Sequence, residues 1–142
     1  MANSSITFQS DGFDFALDKA QSVNSWLLSA IVEEGFEPGD LSYVFMGDAA
    51  LLRINQEYLN HDTYTDIITF DYSEGKTVSG EIYISIERVR DNALKYSENS
   101  IKELHRVMIH GILHLCGYTD KDAHSKAVMT GKEDYYLSLR TF

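Results

Sequence analysis

Ile101-Lys-Glu-Leu-His-Arg-Val-Met-Ile-His110-Gly-Ile-Leu-His114-Leu-Cys-Gly-Tyr-Thr-Asp120 is the stretch from which the fold is read. Leu104, Val107, Met108, Ile109, Ile112, Leu113 and Leu115 wrap most of a helical circumference. A helix apolar on that many sides must be covered from several directions. Glu103, Arg106, His110 and His114 form its narrow polar line, and Gly117 supplies a stop. The spacing predicts a helix over Ile101–Cys116 near the centre of a single domain.

Working outward, the flanking segments supply the cover. Downstream, Lys121 to Leu139 reads as a last amphipathic helix. Upstream, Glu87 to Tyr96 reads as a helix, and Ile67–Tyr72 and Gly80–Ile86 are β-branched and aromatic. Turn chemistry across Ser73–Ser79 makes those two an antiparallel hairpin. His61 to Thr65 is a polar loop. Asp48 is expected to cap a helix reaching Leu59, and Leu41–Met46 alternates as a strand. From Asp14 onward, Ala16, Ala20, Val23, Leu27, Ala30 and Ile31 fall at helical spacing. Gly35 stops that helix and Pro38 prevents its continuation. Ile6–Phe8 is a short strand. The class expected is α+β: a small mixed sheet of about four strands, with one antiparallel hairpin, packed by helices.

Chemistry concentrates at the end of the central helix. Histidines at i and i+4 share a face with Cβ atoms about 5–6 Å apart. Their imidazoles can meet one ion at roughly 2.0–2.1 Å, the Zn–N distance. Gly117 lets the chain turn back, which makes Asp120 available as a third ligand. Two imidazoles and a carboxylate leave a coordination position for water, as in catalytic zinc sites, and the ion can bring that water's pKa to about 7. The opposing reading makes His110 and His114 core histidines with hydrogen-bonded nitrogens, since unpaired imidazoles are costly to bury. His124 competes with Asp120 as the third ligand, and Asp120 and Asp122 can instead serve as caps of the helix that follows.

Composition narrows the function classes. The chain has 142 residues, 44% of them hydrophobic, enough for one domain with a real core. Its amino-terminal stretch, Met1 to Asp14, lacks a basic region and an apolar core, so no secretory signal is expected. The longest apolar run is too short to span a bilayer. A single cysteine, Cys116, fits a reducing cytoplasm. Twelve basic residues against twenty-two acidic ones give a net charge of −10. That balance works against gripping DNA or RNA by bulk electrostatics, so an RNA substrate needs a local patch or a docked partner.

His110-Gly-x-Leu-His114-Leu-x-Gly117-Tyr118 resembles the signature of the YbeY family, bacterial metal-dependent endoribonucleases that mature ribosomal RNA. Ile54-Asn55-Gln56-Glu57-Tyr58, Asp62 and Thr65-Asp66-Ile67-Ile68-Thr69-Phe70 resemble the family's LNxxYRxKDxxTDVLSF stretch. Gly80-Glu81-Ile82 to Ile84 resembles its GDIxI strand, and Glu103-Leu104 its lead-in to the metal helix. The resemblance implies an α+β fold, one zinc ion per chain, action on ribosomal RNA or ribosomal particles, and a cleft between the hairpin and the metal helix. The chain departs from the pattern in two places. Asp120 stands where the family has its third histidine. Leu59 and His61 replace an arginine and a lysine, the arginine being the family's group for handling the scissile phosphate.

Two other functions compete. A zinc peptidase of the HExxH type needs a glutamate base after the first histidine, where this chain has Gly111. A non-catalytic ribosome-assembly factor with a structural metal is supported by Leu59 and by the acidic charge. Among the remaining residues, Cys116 is expected in the core, and His105 lies on another helical face from His110. His61 reads as an exposed loop histidine, and Glu103 as supporting the site or pairing with Arg106. Tyr118 stands beside the site.

Overall fold

In the computed structural model, which describes residues 6–142, the central helix lies across a four-stranded sheet, as the apolar pattern requires. The elements in chain order are β1 (Thr7–Ser10), α1 (Ala20–Glu33), β2 (Glu37–Met46), α2 (Asp48–Leu59), β3 (Ile67–Asp71), β4 (Thr77–Ser85), α3 (Ile86–Lys95), α4 (Ser100–Leu115) and α5 (Ala123–Ser138). The sheet order is β1-β2-β4-β3. β1 and β2 run parallel, as do β2 and β4, and these pairs need the crossovers that α1 and α2 provide. β3 and β4 form the expected antiparallel hairpin, with Ile67 opposite Ile84 and Asp71 opposite Gly80. The fold class is therefore the mixed α+β arrangement read from the sequence.

The sheet is covered on both faces. Leu41, Tyr43 and Phe45 of β2 join Val78, Ile82 and Ile84 of β4 in the main core, with Met108, Ile109, Ile112 and Leu113 of α4 and Leu27 and Ile31 of α1. Val44, Met46 and Ile68 point the other way, against Leu51 of α2. Gly111 permits the close approach of α4. A Cβ there would meet the Ile82 Cδ1 at 3.0 Å. Two buried donors lock the layers together: the Tyr43 hydroxyl donates to the Met108 carbonyl at 2.7 Å, and the Trp26 Nε1–H to the Tyr136 carbonyl at 2.8 Å.

Three boundaries differ from expectation. α1 begins at Ala20, after Lys19 in the left-handed region, and not near Asp14. Phe13, Phe15 and Leu17 pack onto the core outside the helix, with the Phe15 ring 5.0 Å from that of Phe45, so Ala16 matched the helical period by coincidence. β2 starts at Glu37 and includes Pro38, a position a strand tolerates at its beginning; pairing is irregular between Pro38 and Leu41. Asp48 is the first helical residue of α2, and Gly47 is its cap. The Asp48 carboxylate instead accepts from the Ser85 hydroxyl at 2.6 Å and from Arg88 at 2.8 Å.

Candidate active site

α4 and its exit turn build the site. Asn99 opens the helix, its side chain accepting from the Ile101 and Lys102 amides at 2.8 and 3.2 Å. At the far end Gly117 takes φ 105°, a conformation natural to glycine. The Tyr118 amide donates back to the Leu113 carbonyl at 3.1 Å and the Gly117 amide to that of His114 at 3.0 Å, the paired bonds of a Schellman turn. The reversal brings Asp120 beside the helix it has just left, with its Oδ2 3.6 Å from the Nε2 of His110. Asp122, not Asp120, caps α5, accepting from the Ser125 amide at 2.7 Å. The two acids that the sequence left as alternatives for capping thus have different places.

His110, His114 and Asp120 all line one cleft of about 610 Å³, together with Glu103 and Arg106 from the polar line of α4. β3 and the loop before it form the opposite wall: Thr63, Tyr64, Thr65, Asp66 and Ile67, with Asn55, Leu59 and His61 at the end of α2. Buried Asn55 fixes this loop, its side-chain amide donating to the Thr63 carbonyl at 2.8 Å. His124 sits in the first turn of α5, exposed, and is not part of the cleft wall. His105 is buried elsewhere, against Trp26 and Phe142. Cys116 is half-buried, and burial pushes its thiol up to about 12. The Tyr118 hydroxyl is engaged away from the cleft, donating to Glu34 at 2.7 Å.

Glu133 is the member that sequence reasoning missed. It is buried on α5, 23 residues from His110, and its Oε2 lies 2.7 Å from the His110 Nδ1. Arg106 holds the other Glu133 oxygen at 3.0 Å and reaches Asp134 at 2.7 Å, so its partners are these two acids and not Glu103. Burial works against a charge on His110. The bond and charge of Glu133, aided by Asp120 and Asp66, outweigh it and hold the imidazole above its ordinary value. Asp66, quoted above only as part of the family stretch, lines the cleft as well. Burial raises its carboxyl and the nearby Glu133 adds to the effect, while His110 and Arg88 oppose it. Glu103 is raised as well, by burial first and then by Asp66.

The cleft wall thus carries four carboxylates (Asp66, Glu103, Asp120 and Glu133) against one permanent cation, Arg106, already bonded to two acids. As the side chains stand, no three His, Cys, Asp or Glu residues among the described residues are gathered tightly enough to hold a metal ion. The donor chemistry nevertheless suits one. With Glu133 accepting from Nδ1–H, the Nε2 lone pair of His110 is free, an arrangement usual for metal-bound histidines. That nitrogen points toward Asp120, and His114 follows one helical turn later in the same cleft.

A family model described as Endoribonuclease YbeY matches residues 5–140. A protein of that name from Flavobacterium psychrophilum is 50% identical over 126 residues, covering 89% of this chain and 90% of the relative. Its namesake from Cytophaga hutchinsonii is 43% identical over 143 residues, covering 100% of both chains. The solution structure of TM1509 from Thermotoga maritima superposes with a TM-score of 0.64 at 25% identity, covering 94% of this chain and 87% of that one.

Proposed function

The chain belongs to the YbeY family, and from that membership we propose that it is a zinc-dependent endoribonuclease that cuts single-stranded RNA during ribosomal RNA maturation in the cytoplasm. The relatives' shared name supports hydrolysis of an RNA phosphodiester. The observation that carries the reading is the setting of His110, fixed at Nδ1 by Glu133 and facing Asp120 through Nε2 in a cleft that His114 also lines. No helix among the described residues is long and apolar enough to cross a membrane.

His110, His114 and Asp120 are the residues that would hold the ion, which when bound supplies Lewis acidity to a phosphoryl oxygen and acidifies water. The protein's own groups prepare the place. Glu133 sets the plane of the His110 ring, and Arg106 keeps Glu133 from rotating away. Glu103 and Asp66 line the same cleft, and burial raises both carboxyls. Four acids in the wall would meet RNA phosphate with like charge, which a bound divalent cation would offset. For the same reason the productive substrate is a ribosomal particle or RNA delivered by a protein partner, in keeping with the net charge of −10.

A second reading, a ribosome-assembly factor without catalysis, is favoured by one observation: Leu59 lines the cleft where the family carries its arginine. The peptidase reading loses ground, because the position of its base is Gly111, which faces Ile82 and Ile67. The deciding experiment measures ribosomal RNA ends in cells depleted of the protein and complemented with wild type or His114→Ala. Unprocessed precursor in the depleted and His114→Ala cells is expected. Normal ends with defective subunit assembly would establish the second reading instead.

A further inference from the structure

Tyr64 is 57% exposed although it lines the cleft, and it sits between Thr63 and Thr65 in the loop that precedes β3. Its ring is braced. The Arg88 guanidinium lies over it, 5.2 Å from the centroid, within cation–π range. Arg88 in turn is bonded to Asp48 at 2.8 Å, and Asp48 is held by the Ser85 hydroxyl and, through its own amide, by Glu87 at 2.8 Å. The loop is tied on both sides of Tyr64, by Asn55 to the Thr63 carbonyl and by the Ser85 amide to the Asp66 carbonyl at 2.9 Å. An aromatic ring left open to water on a loop this well anchored is a surface prepared for another flat group.

We propose that Tyr64, backed by Arg88, is the base-stacking platform of the cleft, seating one nucleobase of single-stranded RNA beside the His110–Asp120 centre. The inference rests on the endoribonuclease reading above and adds the residue that grips the substrate. Stacking suits this acidic cleft. It engages the π face of a base and needs no cation, and a phenol contributes at low entropic cost because it has few rotatable bonds. With Arg106 committed to Glu133 and Asp134, and Leu59 in the wall, a base contact supplies affinity that phosphate contacts do not.

The test compares wild type, Tyr64→Leu and Tyr64→Phe on fluorescein-labelled single-stranded RNA by initial anisotropy before turnover, and on ribosomal particles by steady-state KM. A second RNA set carries one abasic position moved stepwise along the strand. Tyr64→Leu is expected to weaken binding to intact RNA by about five- to 100-fold, the range of a lost base stack, and Tyr64→Phe to match wild type. One abasic position should weaken wild type as much as the substitution does, with no further loss in Tyr64→Leu. Unchanged binding by Tyr64→Leu, an equal loss in Tyr64→Phe, or a loss that persists at every abasic position overturns the platform. If wild type cleaves neither free RNA nor the RNA of ribosomal particles, the endoribonuclease reading fails and the platform falls with it. That failure shows in the wild-type signal itself and not in a difference between variants.

Discussion

The carboxylate of Glu133 meets Nδ1 of His110 at 2.7 Å, so the last helix of the chain decides how the central histidine faces the cleft. The contact is buried on the glutamate side and continues through Arg106 to Asp134. Glu133→Gln keeps the shape and removes the charge. Zinc affinity, measured by competition with a chelator, is expected to fall about 10–100-fold, the usual effect of losing a partner that orients a ligand. RNA cleavage should fall with it while the circular dichroism spectrum is retained. Unchanged affinity would mean that Glu133 serves packing alone.

His105 provides a pH test away from the site. Burial, and then the neighbouring Arg140, lower its pKa from 6.5 to about 4, against a weaker pull from Asp18. The neutral ring sits 2.7 Å from the Arg140 Nη1 and accepts a hydrogen bond from it. The unfolded chain takes up a proton near pH 6.5 and the folded chain only near 4. Stability from this group is therefore complete above pH 6.5 and lost as pH falls toward 4, roughly 3 kcal/mol in all. Urea titrations across that window should show a shallower decline for His105→Gln than for wild type. Parallel declines would remove His105 as the cause.

Tyr118 belongs to the histidine motif by sequence and to the scaffold by contact. Its hydroxyl, that of Tyr136 and the Lys132 ammonium (3.2 Å) converge on the Glu34 carboxylate at the end of α1. Burial alone would raise Glu34, but these bonds outweigh it and hold the carboxyl below its ordinary value. Tyr118→Phe deletes one donor to a charged acceptor. The expected cost is about 1–2 kcal/mol of unfolding free energy, with zinc content and RNA cleavage unchanged. Full stability with lost cleavage would move Tyr118 into the site.

The contrast between Tyr118 and Glu133 marks how far the sequence could be read. Local signals survived folding: the polar line Glu103, Arg106, His110 and His114, the Gly117 stop and the hairpin all follow from periods and turn chemistry within a few residues. Glu133, and any role for Asp66 beyond its place in the quoted motif, were invisible because their value depends on which helix and which loop α4 packs against. Asp48 was assigned as a cap from local preference, and tertiary partners, Ser85 and Arg88, claimed its carboxylate instead. Ala16 misled through a coincidence of spacing that the aromatic packing of Phe13 and Phe15 overrode.

Asp120 and His124 compete as third ligand of the proposed ion. The Schellman turn at Gly117 aims the chain back toward α4, and Asp120 Oδ2 then lies 3.6 Å from His110 Nε2 in the cleft wall. His124 is one residue into α5, exposed, in the turn that Asp122 and Ser125 close by reciprocal bonds. His124 is absent from the cleft wall that holds His110, His114 and Asp120. Asp122 already supplies the cap, so Asp120 is free of that duty. Asp120→Ala is therefore expected to cost well over 100-fold in zinc affinity, beyond the range of an orienting partner, and His124→Ala less than a few-fold. Both side chains are exposed, so both variants should fold, and elemental analysis after dialysis reads the result directly. A site emptied by His124→Ala and retained in Asp120→Ala would reverse the assignment.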